Sequence, residues 1–438
     1  MSNSWSRRRK PKRAGSPVEV DIVIRHLGAS GDGIAEYSGS PVYASGLLPG
    51  EKATVRLTGP RGDGRIAEAL ARHSDSADRV TPSCNYAEEC GGCSVQHLST
   101  GAYLAWKEGL LARALASKGL APERLEPMVE IKDGRRRLRF ASIGRSSGPV
   151  LGFNMKASKK IIGIDYCIAA EPALSEAISH SHALLSKILL AGETADLEVG
   201  TSLNGLDFLL VRSRPLEYQE RVDIASWMSE IEAARFAWLA KDNELPEVII
   251  ERRSPTLSVA GISVTPSPGA FLQPTAAGEE FMAKFVLEHL RGARRVADLY
   301  SGWGAFALRL AKSMHVEAFE GSETMISSLN LAAGAAGLAG HLAGFTRDLE
   351  RQPLQNDELN RFDAIVLDPP RGGALKQVQS LVSSGPKRIV YLSCNPAALA
   401  RDGKILVDGG YRFLEAQPID QFRWTSHLEV ACLFERDR

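Results

Sequence analysis

The feature that most constrains the fold is the alternation of apolar runs with helical segments in the last third of the chain. From about residue 285, the runs "RRVADLY", "HVEAFEG", "FDAIVLD" and "RIVYLS" are separated by helical stretches, one of them rich in alanine. Short apolar runs that alternate with helices are typical of βαβ units, whose strands lie mostly parallel in one sheet. We therefore predict a Rossmann-like α/β domain over residues 266–438, with "HLEVACLFER" as its final strand.

A glycine turn and two acidic residues follow the first strands of this predicted sheet. Gly302 and Gly304 come directly after "VADLYS", and they allow a ligand to approach the backbone closely. Glu320 ends the next apolar run, where an acid is the expected partner of ribose hydroxyls, and Asp348 lies near the third. Alanine at position 307 in place of a third glycine disfavours the pyrophosphate of NAD. We predict S-adenosylmethionine as the ligand, with a turn that binds nothing as the alternative.

Two more polar residues follow the later strands. Asp368 ends a buried run, and the two prolines after it direct the backbone away from the sheet. Cys394 follows "RIVYLS" and should lie at the same carboxyl edge as Gly302, Glu320 and Asp368. A lone cysteine is usually core packing, but this position makes Cys394 a candidate nucleophile.

The chemistry of a thiolate beside a methyl donor suggests a pyrimidine substrate. Carbon C5 of a pyrimidine is a poor nucleophile, and addition of a thiolate to C6 gives C5 the carbanion character that methyl transfer needs. A base must then remove the C5 proton so that the thiolate can leave. Glu429, at the start of the final strand, is the candidate base, and a surface glutamate is the alternative.

Two segments near the N-terminus have different compositions. Residues 1–16 contain six Lys or Arg residues and no acid, so we expect a disordered basic tail that either binds phosphate or aids solubility. Residues 17–75 alternate apolar and polar residues between Gly and Pro turns, which predicts a small β-barrel of the OB type. This segment resembles the TRAM domain of RNA-modifying enzymes, and a generic β-barrel linker is the alternative.

The six cysteines are unevenly distributed. Cys84, Cys90 and Cys93 lie within ten residues, whereas Cys167, Cys394 and Cys432 are isolated. In a cytosolic protein, such cysteines are more often metal-binding, catalytic or inert than disulfide-bonded. Cys432, on the final strand, is interpreted as a core residue.

Five motifs in a fixed order resemble the bacterial RNA uracil-C5 methyltransferase family. They are "GAFLQP", "DLYSGWGAF", "VLDPPRGG", "YLSCNPAALARD" and "HLE". The resemblance extends over essentially the whole chain from residue 18, and it implies Cys394 as nucleophile and Glu429 as the base. It also implies that Gln273, Tyr300, Glu320 and Asp368 surround S-adenosylmethionine.

The cysteine cluster is similar to that of the iron–sulfur members of this family, the 23S rRNA uracil methyltransferases. The resemblance implies that Cys84, Cys90, Cys93 and Cys167 hold a [4Fe–4S] cluster. Zinc is the alternative occupant, and it is disfavoured because only one Cys-x2-Cys hook is present.

Three positions depart from the family pattern. Thr275 follows Pro274 where the family has asparagine, Ala305 stands in the glycine turn, and Asp348 replaces an asparagine. These differences affect the contacts to the cofactor rather than the chemistry.

The expected partner is structured RNA, with 23S rRNA as the substrate of the leading hypothesis. Candidate phosphate contacts are Arg135, Arg136, Arg137, Lys156, Lys159 and Lys160. A tRNA T-loop uridine methyltransferase is the second hypothesis, although such enzymes typically lack the barrel and the cysteine cluster. A silent RNA-binding iron–sulfur scaffold would not need Cys394 and Glu429, and a cytosine-C5 enzyme would normally carry its cysteine in a different motif.

The predicted organisation is an α/β multidomain chain. The basic tail and the barrel are followed by an α+β central domain over residues 76–265 that carries the cysteine cluster, and then by the methyltransferase domain. A helix within residues 97–120 is expected to pack on the catalytic domain. Because no run approaches 18 apolar residues and no secretory signal is recognisable, we expect a cytoplasmic protein without a membrane span, and nothing requires more than a monomer.

Overall fold

The computed structural model describes residues 18–231, 233–241 and 245–437. Of these, residues 18–83 and 94–103 form one compact unit, and residues 84–93 and 104–437 form a second. The predicted basic tail at residues 1–16 lies outside the described residues. Among the helices that are described, none combines the length and the apolar run that crossing a bilayer requires.

The first unit contains a six-stranded sheet. Its strands are β1 Val18–Val23, β2 His26–Leu27, β3 Gly33–Tyr37, β4 Ser40–Ala44, β5 Lys52–Arg61 and β6 Gly64–Arg72. They are ordered β1-β5-β6-β4-β3-β2, and β4 and β6 pair in parallel whereas the other neighbours are antiparallel. Alternation in β1 buries Val20 and Ile22 on one face, as its period of two predicts. The short strands predicted for this segment are therefore present.

The next elements join the C-terminal sheet. They are the helix α1 Thr100–Ala116 and the short strands β7 Arg124–Leu125 and β8 Val129–Glu130. Both strands pair in parallel with a strand near the C-terminus. Leu111 and Leu115 of α1 belong to the same hydrophobic core as the strands of this C-terminal sheet. The helix expected within residues 97–120 thus packs on that sheet.

The central region is a seven-stranded sheet covered by two helices. Its elements are β9 Arg137–Ile143, β10 Val150–Asn154, β11 Ile161–Gly163, α2 Pro172–Ile188, β12 Thr194–Ser202, β13 Gly205–Val211, α3 Tyr218–Glu230, β14 Ala233–Leu239 and β15 Glu247–Glu251. The strand order is β11-β10-β9-β12-β13-β14-β15. Phe140, Phe208, Trp227 and Phe236 form the aromatic centre of its core. A two-stranded hairpin, β16 Leu257–Val259 and β17 Ile262–Val264, follows.

The C-terminal sheet has the predicted parallel core. Its elements are α4 Ala276–His289, β18 Arg295–Leu299, α5 Ala307–Leu310, β19 His315–Glu320, α6 Glu323–Ala335, β20 Leu342–Thr346, α7 Asn356–Leu359, β21 Ala364–Leu367, α8 Leu375–Ser384, β22 Arg388–Ser393, α9 Pro396–Asp408, β23 Arg412–Asp420 and β24 Glu429–Glu435. The order is β20-β19-β18-β21-β22-β24-β23-β7, with β8 also on β23. Strands β18 to β22 are parallel and β24 is antiparallel.

Successive residues of these strands face two different cores. Val296 and Val366 pack with α4, whereas Leu299 and Leu367 pack with α1 and α9. A sheet covered on both faces explains why the strands read as continuous apolar runs. Strand order reverses between β18 and β21, so the carboxyl ends of these two strands border the crevice where open α/β sheets bind ligands.

The expected boundary between residues 265 and 266 does not separate two compact units. The central sheet and the C-terminal sheet belong to one unit, and the strands β7 and β8 of the expected central domain pair with the C-terminal sheet. Local periodicity could not show this, because the pairing of β7 and β8 with β23 joins segments almost 300 residues apart.

Candidate active site

The glycine turn after β18 is held in place by Glu320. Tyr300, Gly302 and Gly304 have φ values of 63°, 55° and 97°, a left-handed conformation that is costly for Tyr300. The Gly302 amide donates to Oε2 of Glu320 at 3.2 Å, and the Ser322 amide donates to Oε1 at 3.0 Å. Glu320 therefore ends β19 directly beside the turn, as the spacing predicted, and its binding of ribose hydroxyls stays a prediction.

Asp348 and Tyr300 meet the loop that follows β20. Asp348 accepts hydrogen bonds from the backbone amides of Glu350 and Arg351 at 3.0 and 3.1 Å, and its side chain is half exposed. The Tyr300 hydroxyl donates to Oε1 of Glu350 at 3.2 Å, and burial raises the pKa of Tyr300. Both predicted cofactor contacts thus lie at the carboxyl edge of the sheet, near Glu320.

Four side chains, three of them buried and that of Asp368 half-buried, form a hydrogen-bonded chain from Asp368 to Glu429. Gln273 donates from Nε2 to Oδ2 of Asp368 at 3.0 Å. Gln421 donates from Nε2 to Oε1 of Gln273 at 3.1 Å and to Oε2 of Glu429 at 3.2 Å. Oε1 of Glu429 has no hydrogen-bond partner within the described residues. Two glutamine amides therefore connect the carboxylates that end β21 and begin β24.

The two carboxyl groups have raised pKa values. Burial raises the pKa of Asp368 to about 7, although the hydrogen bond from Gln273 acts to lower this pKa. Burial also raises the pKa of Glu429 well above its usual range, and repulsion by Asp368 adds to this, while the hydrogen bond from Gln421 acts in the opposite direction. Raised pKa values of carboxyl groups in one cleft are typical of acid–base sites.

Cys394 lies at the same edge, directly after β22. Asn395 caps α9 by accepting from the Ala397 amide at 3.1 Å, and it donates from Nδ2 to the Arg371 carbonyl at 2.8 Å. These bonds join the loop of Cys394 to the loop of Asp368. Burial raises the pKa of the Cys394 thiol to about 11, with repulsion from Glu429 and Asp368, while Arg371 lowers it. The structure thus brings Cys394 within electrostatic reach of Asp368 and Glu429, and the catalytic roles of Cys394 and Glu429 stay predictions.

Two residues that support the site were missed by sequence reasoning. Asp402 of α9 is fully buried, and its Oδ2 accepts from the Ala374 amide and from the Tyr391 hydroxyl, both at 2.7 Å. It therefore fixes the end of the Pro-Pro-Arg-Gly-Gly loop. Gln421 follows the buried end of β23, and a polar residue directly after a buried strand was the available signal for it.

Three of the candidate phosphate contacts have partners within the fold; the prediction is wrong for Arg136, which is buried, and it stays a prediction for Arg137 and Lys156, which are partly exposed. Arg136 is buried, forms an ion pair with Glu279 and donates from Nε to the Gln273 carbonyl at 2.8 Å. Arg137 pairs with Glu198. Lys156 donates from Nζ to the Ala87 carbonyl at 2.7 Å, next to the cysteine cluster. Sequence alone does not distinguish a basic residue that faces solvent from one that is paired within the fold.

The four clustered cysteines have free thiols and interact electrostatically. Burial raises the pKa of Cys90, and repulsion from Cys84 adds to this shift. Burial also raises the pKa of Cys167 to about 11, and repulsion from Cys93 and Cys90 contributes to it. Within the described ranges, however, no group of three or more Cys, His, Asp or Glu side chains has the arrangement of a metal-ion site. The donor set suits a soft metal or an iron–sulfur cluster, whereas the side-chain geometry is not that of a single-ion site.

The segment around these cysteines is tightly folded. A Cβ added at Gly91 would lie 2.7 Å from the Asn154 carbonyl oxygen, so only glycine fits there. The Gly92 amide donates to Sγ of Cys90 at 3.4 Å. Cys432, in contrast, is fully buried in β24, which confirms its interpretation as a core residue.

Comparison with known proteins identifies the enzyme class. The family described as tRNA (Uracil-5-)-methyltransferase matches residues 254–437. An uncharacterized RNA methyltransferase of Mesorhizobium japonicum is 39% identical over 96% of this chain and 99% of its own length. The 23S rRNA (uracil(1939)-C(5))-methyltransferase of Shewanella sediminis is 33% identical over 97% of both chains.

A solved structure has the same overall fold. The tRNA (uracil-54, C5)-methyltransferase of Pyrococcus abyssi, in complex with S-adenosyl-L-homocysteine, aligns with a TM-score of 0.72 and 21% identity over 95% of this chain and 100% of that chain. At this identity the match shows the fold alone. On the alignments that span nearly the whole sequence, the chain belongs to the bacterial RNA uracil-C5 methyltransferase family and is an S-adenosylmethionine-dependent RNA methyltransferase.

Proposed function

We propose that this enzyme methylates C5 of a specific uridine in 23S rRNA through a covalent bond between Sγ of Cys394 and C6 of the base. The observation that carries the proposal is the position of Cys394 at the sheet edge, in electrostatic reach of Glu429 and Asp368. The Shewanella sediminis relative supports rRNA as the substrate. The tRNA alternative is supported by the description of the matching family and by the Pyrococcus abyssi structure.

The reaction begins with the thiolate of Cys394. Because burial raises the pKa of this thiol to about 11, the thiol must first lose its proton to solvent, and Arg371 is the cation that favours this ionisation. The sulfur forms a bond to C6, and the electron pair of the C5=C6 bond moves to C5 and the O4 carbonyl. S-adenosylmethionine, when bound, would supply its sulfonium methyl group to C5, and S-adenosylhomocysteine would leave with the electron pair of the broken S–CH3 bond.

Glu429 completes the reaction in this proposal. Its unpaired Oε1 accepts the C5 proton, the electron pair of the C5–H bond re-forms the C5=C6 bond, and the C6–S bond breaks to release the thiolate of Cys394. Since Cys394 and Glu429 are partly or fully buried, the target uridine must be flipped out of its stack or presented in a loop.

The experiment that tests this mechanism traps the covalent intermediate. In Glu429→Gln, methyl transfer should proceed but release should stop, because the amide cannot accept the proton. We expect a protein–RNA adduct that survives a denaturing gel when the variant is incubated with S-adenosylmethionine and total RNA. Sequencing of the trapped RNA then distinguishes 23S rRNA from tRNA.

Cys394→Ala/Glu429→Gln is the matched control, because it keeps the substituted base but removes the nucleophile, so no adduct should form. Absence of a shifted band with Glu429→Gln, or turnover by the single variant Cys394→Ala, would contradict the proposal.

We also propose that Cys84, Cys90, Cys93 and Cys167 hold a [4Fe–4S] cluster rather than zinc. The proposal is supported by the four free thiols, their mutual electrostatic interactions and the amide hydrogen bond to Sγ of Cys90. A four-iron cluster binds each cysteine at a separate iron, so its ligands do not surround one ion. We further propose that the six-stranded sheet at residues 18–72 binds RNA, and its small all-β architecture supports this role.

A further inference from the structure

The side chain of Gln421 occupies a defined position between the two carboxylates of the site. It lies between β23 and β24, and its buried amide reaches Gln273 on one side and Glu429 on the other. Both acceptors are oxygens, so the NH2 group must face them, and its two protons are matched by two partners. The orientation of the amide is therefore determined by its surroundings.

We propose that Gln421 is a positioning residue for the proton-abstraction step: its amide holds Oε2 of Glu429 and leaves Oε1 as the atom that accepts the C5 proton. The inference rests on the proposed role of Glu429 as the base. Through Gln273, the same amide connects Glu429 to Asp368, so that two carboxylates in one cleft are bridged by neutral donors. Without this bridge, the side chain of Glu429 would lose its only hydrogen bond within the described residues.

The backbone on the opposite side is shaped to accept Gln421. A Cβ added at Gly278 would lie 2.4 Å from Oε1 of Gln421 and 2.7 Å from Oγ1 of Thr275, so the first turn of α4 accommodates the amide only because residue 278 is glycine. Thr275 caps this helix by accepting from the Gly278 amide at 3.0 Å. Gln273 is held in turn by Arg136, which pairs with Glu279 of the same helix.

The hydrogen bond from Gln421 also has an electrostatic effect. The titratable groups that act on Glu429 are Asp368 and Cys394; Glu279 acts on Asp368, and Arg371 acts on Cys394. The negative charge of Asp368 favours the protonated form of Glu429, whereas the amide of Gln421 favours the carboxylate. Loss of the amide therefore raises the pKa of Glu429, and the base is then ionised only at higher pH.

The test is the substitution Gln421→Met, which keeps the size of the side chain and removes the donor. With the RNA that Glu429→Gln traps as substrate, we expect resolution of the adduct to slow by about tenfold or more. We also expect the pH at which this rate falls off on the acidic side, its acidic inflection, to move up by about one pH unit. The measurement is single-turnover kinetics with quantification of the adduct on denaturing gels between pH 5 and 9.

A second variant displaces Gln421 without changing its chemistry. Gly278→Ala should produce the same accumulation of adduct and the same shift of the inflection. The double variant Gln421→Met/Gly278→Ala should be no slower than the slower of the two single variants, because both substitutions break the same hydrogen bond between Gln421 and Glu429.

The outcomes separate this inference from the proposed function. If Glu429→Gln traps the adduct but Gln421→Met resolves it with the pH profile of the wild type, the role of Gln421 is wrong and the proposed function stands. If Glu429→Gln forms no adduct, the proposed function itself is wrong. A uniformly lower rate with an unshifted inflection would indicate a merely structural role and would overturn the inference.

Discussion

At the scale of single residues, the site depends on groups whose pKa values are raised by burial. The pKa of Cys394 is raised to about 11, that of Asp368 to about 7, and that of Glu429 well above its usual range. Such groups respond to a bound base or cofactor, because a small change in charge nearby alters which of them carries a proton. Gln421 donates a hydrogen bond to Glu429, and Asp402 holds the end of the loop that follows Asp368.

Asp402→Ala should destabilise the protein and reduce activity. The substitution removes the acceptor for the Ala374 amide and the Tyr391 hydroxyl, and it leaves both donors buried. We expect the free energy of unfolding to fall by about 3 kcal/mol. Urea denaturation is the measurement.

Asp408→Ala, on the same helix, is the control, because Asp408 is exposed and forms its ion pair with Lys404 one turn away. Its effect should stay within about 0.5 kcal/mol. Equal losses for the two variants would contradict the supporting role of Asp402.

At the scale of elements, α1 packs on the C-terminal sheet, although more than 150 residues separate this helix from β18. Leu111 and Leu115 pack beneath the C-terminal sheet, and β7 and β8 extend that sheet beyond β23. Lys107, which is fully buried, pairs with Asp420 at the end of β23 and donates to the Phe422 carbonyl at 3.2 Å. Asp420 directly precedes Gln421, so α1 supports the segment that positions the proposed base.

Lys107→Met should therefore destabilise the protein strongly. The substitution deprives the buried carboxylate of Asp420 of this cation, and breaking a buried ion pair from one side costs about 3–5 kcal/mol. We expect a corresponding decrease in the free energy of unfolding in urea.

Lys107→Met/Asp420→Leu should recover part of the loss, since no buried charge of the pair then remains. Lys118→Met, at an exposed position just after the helix, should be within about 0.5 kcal/mol of the wild type. A double variant as unstable as the single one would argue against the ion pair as the cause.

At the scale of the whole molecule, the chain folds as two compact units, and one of them contains both larger sheets. Arg136 lies just before β9 of the central sheet, yet it binds the loop and helix that carry Gln273 and Glu279. The cysteine cluster likewise combines residues 84–93 with Cys167, so an occupied cluster would connect two distant parts of the chain.

Cluster content is the corresponding prediction. Protein purified without oxygen should be brown, with broad absorption near about 400 nm from thiolate-to-iron charge transfer. Cys90→Ser should lose this absorption because it removes one ligand. Cys432→Ala should keep it, since Cys432 is buried in β24. A colourless protein with one bound zinc would overturn the iron–sulfur proposal.

Much of the site could be predicted from the sequence because parallel strands bring their carboxyl ends to one edge. Glu320, Asp368 and Cys394 each end or follow an apolar run, so their proximity follows from local pattern and sheet topology. The same reasoning placed Glu429 at the start of the last strand.

What only the tertiary structure decided are the contacts between segments distant in sequence. The amide of Gln421 bridges Gln273 and Glu429. Arg136 and Lys107 form ion pairs in the interior of the protein. Periodicity and residue type report which face of an element is apolar, but a hydrogen bond or an ion pair depends on where a second segment lies, and that position is determined by the packing of the whole chain.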